Sequence, residues 1–515
     1  MGEGAFGAVH SCRHLVSGAE RACKIMQKSE DNEECTQEII DEYKILRELD
    51  HPNLIRVYEL LEGEPQVTIW DGGFGSVIIT LTQLFLLLLL SPDDDAFYIV
   101  TELCEGGDML DELCKYNGGA IREEDVVVAV DHVLSCINYL HHQGLAHRDL
   151  KLENILLHDG DYKSLKVIDF GLARSFDSET RWHDLVGTAY YVAPELLAHD
   201  HGPKVDIWAC GVIAYTLLGG YAPFEGDDDK EVLQAVAKGD IVFGEESWKH
   251  VSEDAKGFVT WLLTYDEDDR PTAVEALGHE WLQRHRRGSW KVDDRRASTR
   301  ASLTDLQQFQ SRRSILKQAT CAMMASQLQH SDEIKDIGQA FQILDQQGCG
   351  KLTKADVQAS LAAILDENDE ADRSKDEAWL KNIDIDLLFE QVNFSGTGTI
   401  HYSEFVGACL LQKSLRDDSK VEKIFQTYDK SHKGYITRED LKEALSTNSR
   451  MSDRTIAKIM RQTGRQGRIY FNDFRANMLG HKKAVASTKA SCGVQRAFHF
   501  QSKTEIPIQF GAMGA

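Results

Sequence analysis

The run His147-Arg148-Asp149-Leu150-Lys151-Leu152-Glu153-Asn154, followed fifteen residues later by Asp169-Phe170-Gly171, decides how this chain is read. It places one carboxylate, one lysine and one amide on a short loop, with a second carboxylate close behind. That set suits phosphoryl transfer, in which positioning and charge neutralisation carry nearly all the catalysis. Asp149 is expected to take up the proton of a substrate hydroxyl, and Lys151 to neutralise the migrating phosphoryl group. Asn154 and Asp169 are expected to hold Mg²⁺. A lone His-Arg-Asp is common by chance, so the reading rests on its surroundings.

Those surroundings agree on both sides. Gly2-Glu3-Gly4-Ala5-Phe6-Gly7-Ala8-Val9 has the form of a glycine-rich loop whose backbone N–H groups cover ATP phosphates. Fifteen residues after Val9, Ala22-Cys23-Lys24 offers a strand lysine for the α- and β-phosphates. Glu42, on the amphipathic stretch 35–49, sits where that lysine's helical ion-pair partner belongs. Downstream, Gly187-Thr188-Ala189-Tyr190-Tyr191 leads into Ala193-Pro194-Glu195. Over residues 1–282 the chain resembles a eukaryotic protein kinase, and Lys151 resembles the serine/threonine-specific form.

The resemblance implies an α+β two-lobed kinase fold and an ATP site. Val9, Ala22 and Leu156 would sandwich the adenine, Glu102 and Cys104 would offer it backbone hydrogen bonds, and Asp108 would meet the ribose. Gly2, Gly4 and Gly7 would line the phosphates, and Thr101 would be a small gatekeeper that admits bulky inhibitors. Asp206 and Arg270 fall where the fold buries an aspartate and the arginine that pairs with Glu195. Arg148 would meet a phosphate or an acid of the activation segment. Asp177, Glu179 and Asp184 are the acidic candidates, and Ser178 and Thr180 the phosphosites.

Past residue 282 the chain changes character. Residues 283–330 carry eight arginines and a helical pattern bearing Leu303, Leu306, Phe309, Ile315 and Leu316. Four loops follow at regular intervals, and each fits the twelve-residue EF-hand template of oxygen ligands with glycine at position six. They run Asp345–Asp356, Asn393–Glu404, Asp429–Asp440 and Gln462–Asp473, with Gly350, Gly398, Gly434 and Gly467 at position six. An all-α module of two pairs, 331–410 and 411–480, is therefore expected. Kinase, junction helix and two EF-hand pairs in one chain resemble the calcium-dependent protein kinases of plants and apicomplexan-type protists. The resemblance implies a junction helix that blocks the cleft at rest and is withdrawn by calcium-loaded EF-hands.

The calcium ligands themselves are poor. The first loop has Gln347 and Cys349 at positions three and five between Asp345 and Asp356. A hard cation prefers oxygen to sulfur, and Asp reaches less readily than Glu for bidentate binding. The second loop has one charged ligand, Glu404, with Asn393, Ser395, Thr397 and Thr399 as neutral oxygens, and it is the best candidate of the four. The third offers Asp429, Ser431 and Asp440, but Lys433 puts a cation where a cation must bind. The fourth, with Gly464 and Gln466, is read as empty. EF-hand pairs retained as a rigid helical module, in a kinase without calcium control, are the alternative.

Composition fits a multidomain protein, since 515 residues suggest about three domains. A formal charge of −26 argues against a nucleic-acid or anionic-membrane binder. Eleven scattered cysteines with no C-x-x-C pair suggest thiols in a reducing, cytoplasmic setting. Protein substrates, a monomer and no transmembrane segment are expected.

Three departures stand out. Met1 stands where an apolar strand residue would enter the glycine loop, which suggests an incomplete start. Residues 63–96 interrupt what should be a short hairpin. Leu84 to Pro92 can be encoded by pyrimidine-only codons, so a translated intron is expected there; transcripts that all carry the segment would refute it. Val77–Leu90 is apolar but shorter than the roughly 17–25 residues that span a bilayer, leaving a monotopic anchor as the lesser reading. The third departure is Asp366–Glu377, with seven acidic residues in twelve, read as a solvated loop. Taken with the unusual start, the insert leaves a catalytically impaired scaffold as the rival from another class. The tail 481–515 shows no pattern.

Overall fold

The computed structural model describes residues 3–4, 7–13, 20–27, 33–62, 68–70, 96–116, 120–162, 164–288, 292–309, 314–327, 332–366, 379, 383–429, 431–445 and 453–480. Its first layer is a six-stranded antiparallel sheet of β1 (Glu3–Gly4), β2 (Gly7–Arg13), β3 (Glu20–Gln27), β4 (Val57–Glu62), β5 (Thr68–Trp70) and β6 (Ala96–Thr101). The order is β1-β2-β3-β6-β4, with β5 on the outer edge of β2. Alternation places Phe97 and Ile99 on one face, under helix α1 (Glu33–Glu48) with Met26 and Ile39, while Tyr98 and Val100 face Cys12 and Cys23 on the other. Register fixes the site: Val9 lies opposite Lys24, and Ala22 opposite Thr101.

The expected β4–β6 pairing is present, from Val57 opposite Thr101 to Glu62 opposite Phe97, despite the long insertion. Three residues of that insertion, β5, are built into the sheet, with Ile69 opposite Cys12 and Trp70 opposite Ser11. Residues 63–67 and 71–95, and with them the apolar run and the pyrimidine-coded stretch, lie outside the described residues. So do Gly2, most of the acidic segment after Asp366, and the tail.

Below the sheet, helices Glu123–His142 and Val205–Gly219 form the centre of the large core. All fifteen residues of the second are buried, which is why its sequence is apolar all round rather than on one stripe. Helix starts are fixed locally: Asp228 and Ser252 accept from the backbone N–H groups of Glu231 and Ala255, and Thr272 with Glu275 closes a capping box. The last helix of this lobe, Glu280–Gly288, runs through the expected boundary at residue 282.

The C-terminal module has its own core, separate from those of the N-terminal lobes. Its loops pair in twos: Leu352 lies opposite Ile400, and Ile436 opposite Ile469. Gly350, Gly398, Gly434 and Gly467 all have φ between +69° and +84°, the conformation that makes position six a glycine. The junction helices Val292–Gln308 and Ile315–Gln327 bury Leu303, Leu306, Phe309, Leu316 and Met323 in this same core. Their apolar faces are thus committed to the EF-hands.

Nine cysteines lie among the described residues and none of these forms a disulfide. Among the described residues, no helix is long and apolar enough to cross a membrane.

Candidate active site

The catalytic loop is held from below by one buried carboxylate. Asp206 accepts from the backbone N–H of His147 at 2.9 Å and of Arg148 at 2.8 Å, and pairs with His141 Nε2 at 2.9 Å. Burial alone would raise its carboxyl, but the His141 hydrogen bond and the His147 and Arg148 neighbours hold it below the ordinary range. This clamp keeps Arg148 at φ +66°, and Asp169 is likewise at +65°. Such left-handed backbone costs roughly 1–3 kcal/mol per residue and persists only where surrounding contacts over-determine it.

Asp149 is met from three sides. Lys151 Nζ lies 2.8 Å from its Oδ2, Asn154 Nδ2 is 3.3 Å from the same oxygen, and Thr188 Oγ1 donates to Oδ1 at 3.1 Å. Lys151 Nζ also reaches Thr188 Oγ1 at 3.1 Å, so carboxylate, ammonium and hydroxyl form one closed set. The Thr188 hydroxyl joins the two groups, a role the sequence pattern did not assign to it. Asn154 is buried and spends its amide nitrogen on Asp149, including the backbone oxygen at 2.8 Å. That fixes the amide and leaves its carbonyl oxygen, with the Asp169 carboxylate, as the hard oxygen donors Mg²⁺ prefers.

In the upper lobe, Lys24 Nζ lies 3.8 Å from Glu42 Oε1. Burial pushes the Glu42 carboxyl up, against the pull of Lys24. Gly4 and Gly7 face each other across the β1–β2 turn, and Gly2 lies outside the described residues. Val9 is half-buried and Ala22 buried. The connector between lobes is pinned by its backbone: Glu105 N–H donates to His158 O at 2.8 Å, and Gly106 N–H to Leu157 O at 2.9 Å. A Cβ on Gly106 would lie 2.5 Å from the Gly160 nitrogen, so no side chain fits at that crossing. This brings Leu156 beneath Asp108, to which it is bridged. The Glu102 N–H is spent on Arg56 O at 3.0 Å, and its carboxylate on Lys166 Nζ at 3.0 Å. Burial pushes the Cys104 thiol up to about 12. Asp108 Oδ1 accepts from Asp111 N–H at 2.7 Å, capping helix Met109–Cys114.

Among the acids of the activation segment, Asp184 meets Arg148, with Oδ2 at 2.5 Å from its NH2. Asp177 instead accepts from Thr180 Oγ1 at 2.7 Å. The buried Arg270 guanidinium holds both oxygens of Glu195, at 2.6 and 2.9 Å. It also donates to the carbonyls of Lys204, Thr264 and Tyr265.

The four EF loops differ in how their ligand groups are used. In the second, Asn393 Oδ1, Ser395 Oγ, Thr397 Oγ1 and Thr399 Oγ1 lie within 3.1–3.2 Å of one another in sequence, a converging all-oxygen set. Glu404 closes it, accepting from the Ser395 N–H at 2.7 Å and the His401 N–H at 3.0 Å. This donor set fits calcium.

The first loop does not. Asp345 accepts from the backbone N–H groups of Cys349 and Gly350, and burial pushes its carboxyl up to about 6. Asp356 is taken by Thr353. The tip of this loop is pressed against the long helix Glu123–His142: Asn138 Nδ2 donates to Gln347 O at 2.6 Å and to Gly348 O at 3.2 Å. A Cβ on Gly350 would lie 2.5 Å from the Tyr139 ring. Arg286 with Asp131, Lys335 with Asp159, and Ser403 N–H with Asp50 lie around it. In the third loop Ser431 is exposed, while Asp429 accepts from Lys433 N–H and Gly434 N–H. Among the described residues, no three His, Cys, Asp or Glu side chains converge as a metal cluster.

Comparison with known proteins agrees with this organisation. The family model for the protein kinase domain matches residues 1–282, and that for an EF-hand domain pair matches residues 418–479. The chain is 31% identical over 486 residues to calcium-dependent protein kinase 2 of Zea mays, covering 93% of this chain and 85% of that protein. It is 30% identical over 480 residues to calcium-dependent protein kinase 4 of Plasmodium berghei, covering 92% and 84%.

Proposed function

Because the chain belongs to the calcium-dependent protein kinase family, with a kinase domain and C-terminal EF-hands in one polypeptide, we propose how its own residues divide the work. It is a protein kinase that moves the γ-phosphoryl group of ATP to serine or threonine hydroxyls. Asp149 orients the hydroxyl and takes its proton, and Thr188 fixes the carboxylate rotamer. Lys151 stands beside both, where charge develops on the transferred group. Asn154 and Asp169 would hold Mg²⁺, which when bound neutralises phosphate charge. Lys24, positioned by Glu42, meets the α- and β-phosphates under the loop of Gly2, Gly4 and Gly7. Val9, Ala22 and Leu156 enclose the adenine, the Glu102 and Cys104 backbone reads its edge, Asp108 takes the ribose, and Thr101 sets the depth of the pocket.

The regulatory half is proposed as cis control through the EF-hand module, in a cytoplasmic protein acting on protein substrates. Calcium sensing falls to Asn393–Glu404. The observation that carries the catalytic reading is the closed Asp149–Lys151–Thr188 set on a clamped loop. A second reading, a kinase active without calcium, is favoured by the junction helices, whose apolar faces already lie in the EF-hand core.

Phosphate transfer from Mg·ATP to a basic serine peptide, in excess EGTA and again in ~0.1 mM free Ca²⁺, separates these readings. A calcium-dependent rise lost in Glu404→Gln supports the sensor. Equal, high rates support the calcium-independent kinase, and both should vanish in Asp149→Asn. Rates in Asp149→Asn that match those of the parent would refute the catalytic assignment.

A further inference from the structure

The third and fourth EF loops do not fit calcium, and the reason is not simple loss of ligands. The carboxylate at position twelve is the group that closes an EF loop on its ion. In the third loop that carboxylate, Asp440, receives Lys433 Nζ at 2.8 Å on Oδ1 and 2.7 Å on Oδ2. In the fourth loop it is Asp473, only 8% exposed, and Arg465 NH2 lies 2.8 Å from its Oδ1. Lysine at position five and arginine at position four reach the same place from different points of the template. In the first pair no such substitution is seen: Glu404 meets the N–H groups of Ser395 and His401, and Asp356 meets Thr353.

The two cation-bearing loops are joined to each other. Ile436 and Ile469 pair across them, and Arg468 stacks over Tyr435 at 4.3 Å. Together their helices grip the junction. Thr320 Oγ1 and Tyr428 OH are 3.0 Å apart, Ser314 Oγ donates to Asn477, and Leu316 and Met323 share a core with Leu441, Ile459 and Phe474.

We propose that the C-terminal EF-hand pair is a metal-independent clamp on the junction helix Ile315–Gln327, in which Lys433 and Arg465 stand in for the two calcium ions. An ammonium or guanidinium tethered in the loop gives the closing carboxylate its counter-charge at all times, so the clamp has no empty state. Calcium control is thereby confined to the first pair. That last step rests on the sensor assignment of Asn393–Glu404; the clamp itself does not.

The test is calcium titration calorimetry on the full chain, with thermal melting in EGTA. The parent should bind one calcium, Glu404→Gln none, and the double variant Glu404→Gln/Lys433→Asp one again, because an aspartate at position five restores a ligand. Lys433→Ser and Arg465→Ser should each lower the EGTA melting temperature by about 2–5 °C, since each leaves the closing carboxylate, Asp440 or Asp473, without its counter-charge. Calcium binding by Glu404→Gln alone, or melting unchanged in both serine variants, overturns the clamp. A parent that binds no calcium, with the serine variants still destabilised, removes the sensor assignment and leaves the clamp standing.

Discussion

Replacing Asp184 by Asn should disable much of this kinase without touching a group that meets substrate. The Arg148 side chain is 2% exposed and its NH2 lies 2.5 Å from Asp184 Oδ2, whose own side chain is 49% exposed. Arg148 also sits over the Trp182 ring at 4.8 Å and immediately precedes Asp149. Burial alone would raise the Asp184 carboxyl, but the Arg148 guanidinium holds it below the usual carboxylate range. Two unit charges ~4 Å apart at an effective dielectric of ~20 attract by ~4 kcal/mol. Half the carboxylate faces water, so we discount this to about 1.5–2 kcal/mol. If the segment is ordered by this contact, kcat/KM should fall about 10- to 30-fold in the variant. The assay is peptide phosphorylation after phosphatase treatment of both proteins. The parent should be indifferent to phosphatase, because an aspartate already supplies the charge, and Ser178→Ala/Thr180→Ala should match it. Asp184→Asn within about twofold of the parent, or a parent silenced by phosphatase, would refute the reasoning.

Three more outcomes follow from named contacts. Arg270→Ala leaves the largely covered Glu195 carboxylate without its partner, at about 3–5 kcal/mol, so the kinase unfolding transition should drop by roughly 6–20 °C in calorimetry. Lys317, 2% exposed beneath Phe309, has its ammonium pushed down to about 8 by burial. Its folded value lies below the unfolded one, so this group adds stability as pH rises from about 8 to 10.5, where the unfolded chain holds the proton and the native chain does not. Lys317→Met should abolish that rise and raise the melting temperature at pH 7, as followed by circular dichroism between pH 7 and 10. Asn138→Ala removes the two donations to the first EF loop, and amide exchange should then quicken in residues 345–352 while those in 429–440 stay unchanged.

The catalytic machinery was legible because phosphoryl transfer needs particular residue types at fixed short spacings. Asp149, Lys151 and Asn154 are separated by so few residues that local backbone brings them onto one loop, and Asp169 follows the short strand pair in which Ile155 lies opposite Val167. The EF loops were legible for the same reason, since a glycine at position six reports a left-handed turn. Thr188 was quoted only as part of a motif and Asp206 only as a buried aspartate; their hydrogen bonds to Asp149 and to the His147–Arg148 backbone cross 39 and about 59 residues of chain.

By itself, then, the sequence determined the kinase and EF-hand architecture, the residues proposed as catalytic, and the poverty of calcium ligands. It left three acids as equal candidates for Arg148; the packing of the activation segment against Trp182 and His201 selected Asp184. It marked residues 63–96 as foreign, yet Thr68–Trp70 completes the edge of β2, because a strand edge accepts any extended backbone that reaches it. It placed Lys433 in a calcium position as an obstacle, and tertiary structure made it an occupant, since only the folded loop brings the ammonium to Asp440. Periodicity and spacing encode what neighbours in sequence do; which distant charge meets which is settled by burial, and only the folded chain decides that.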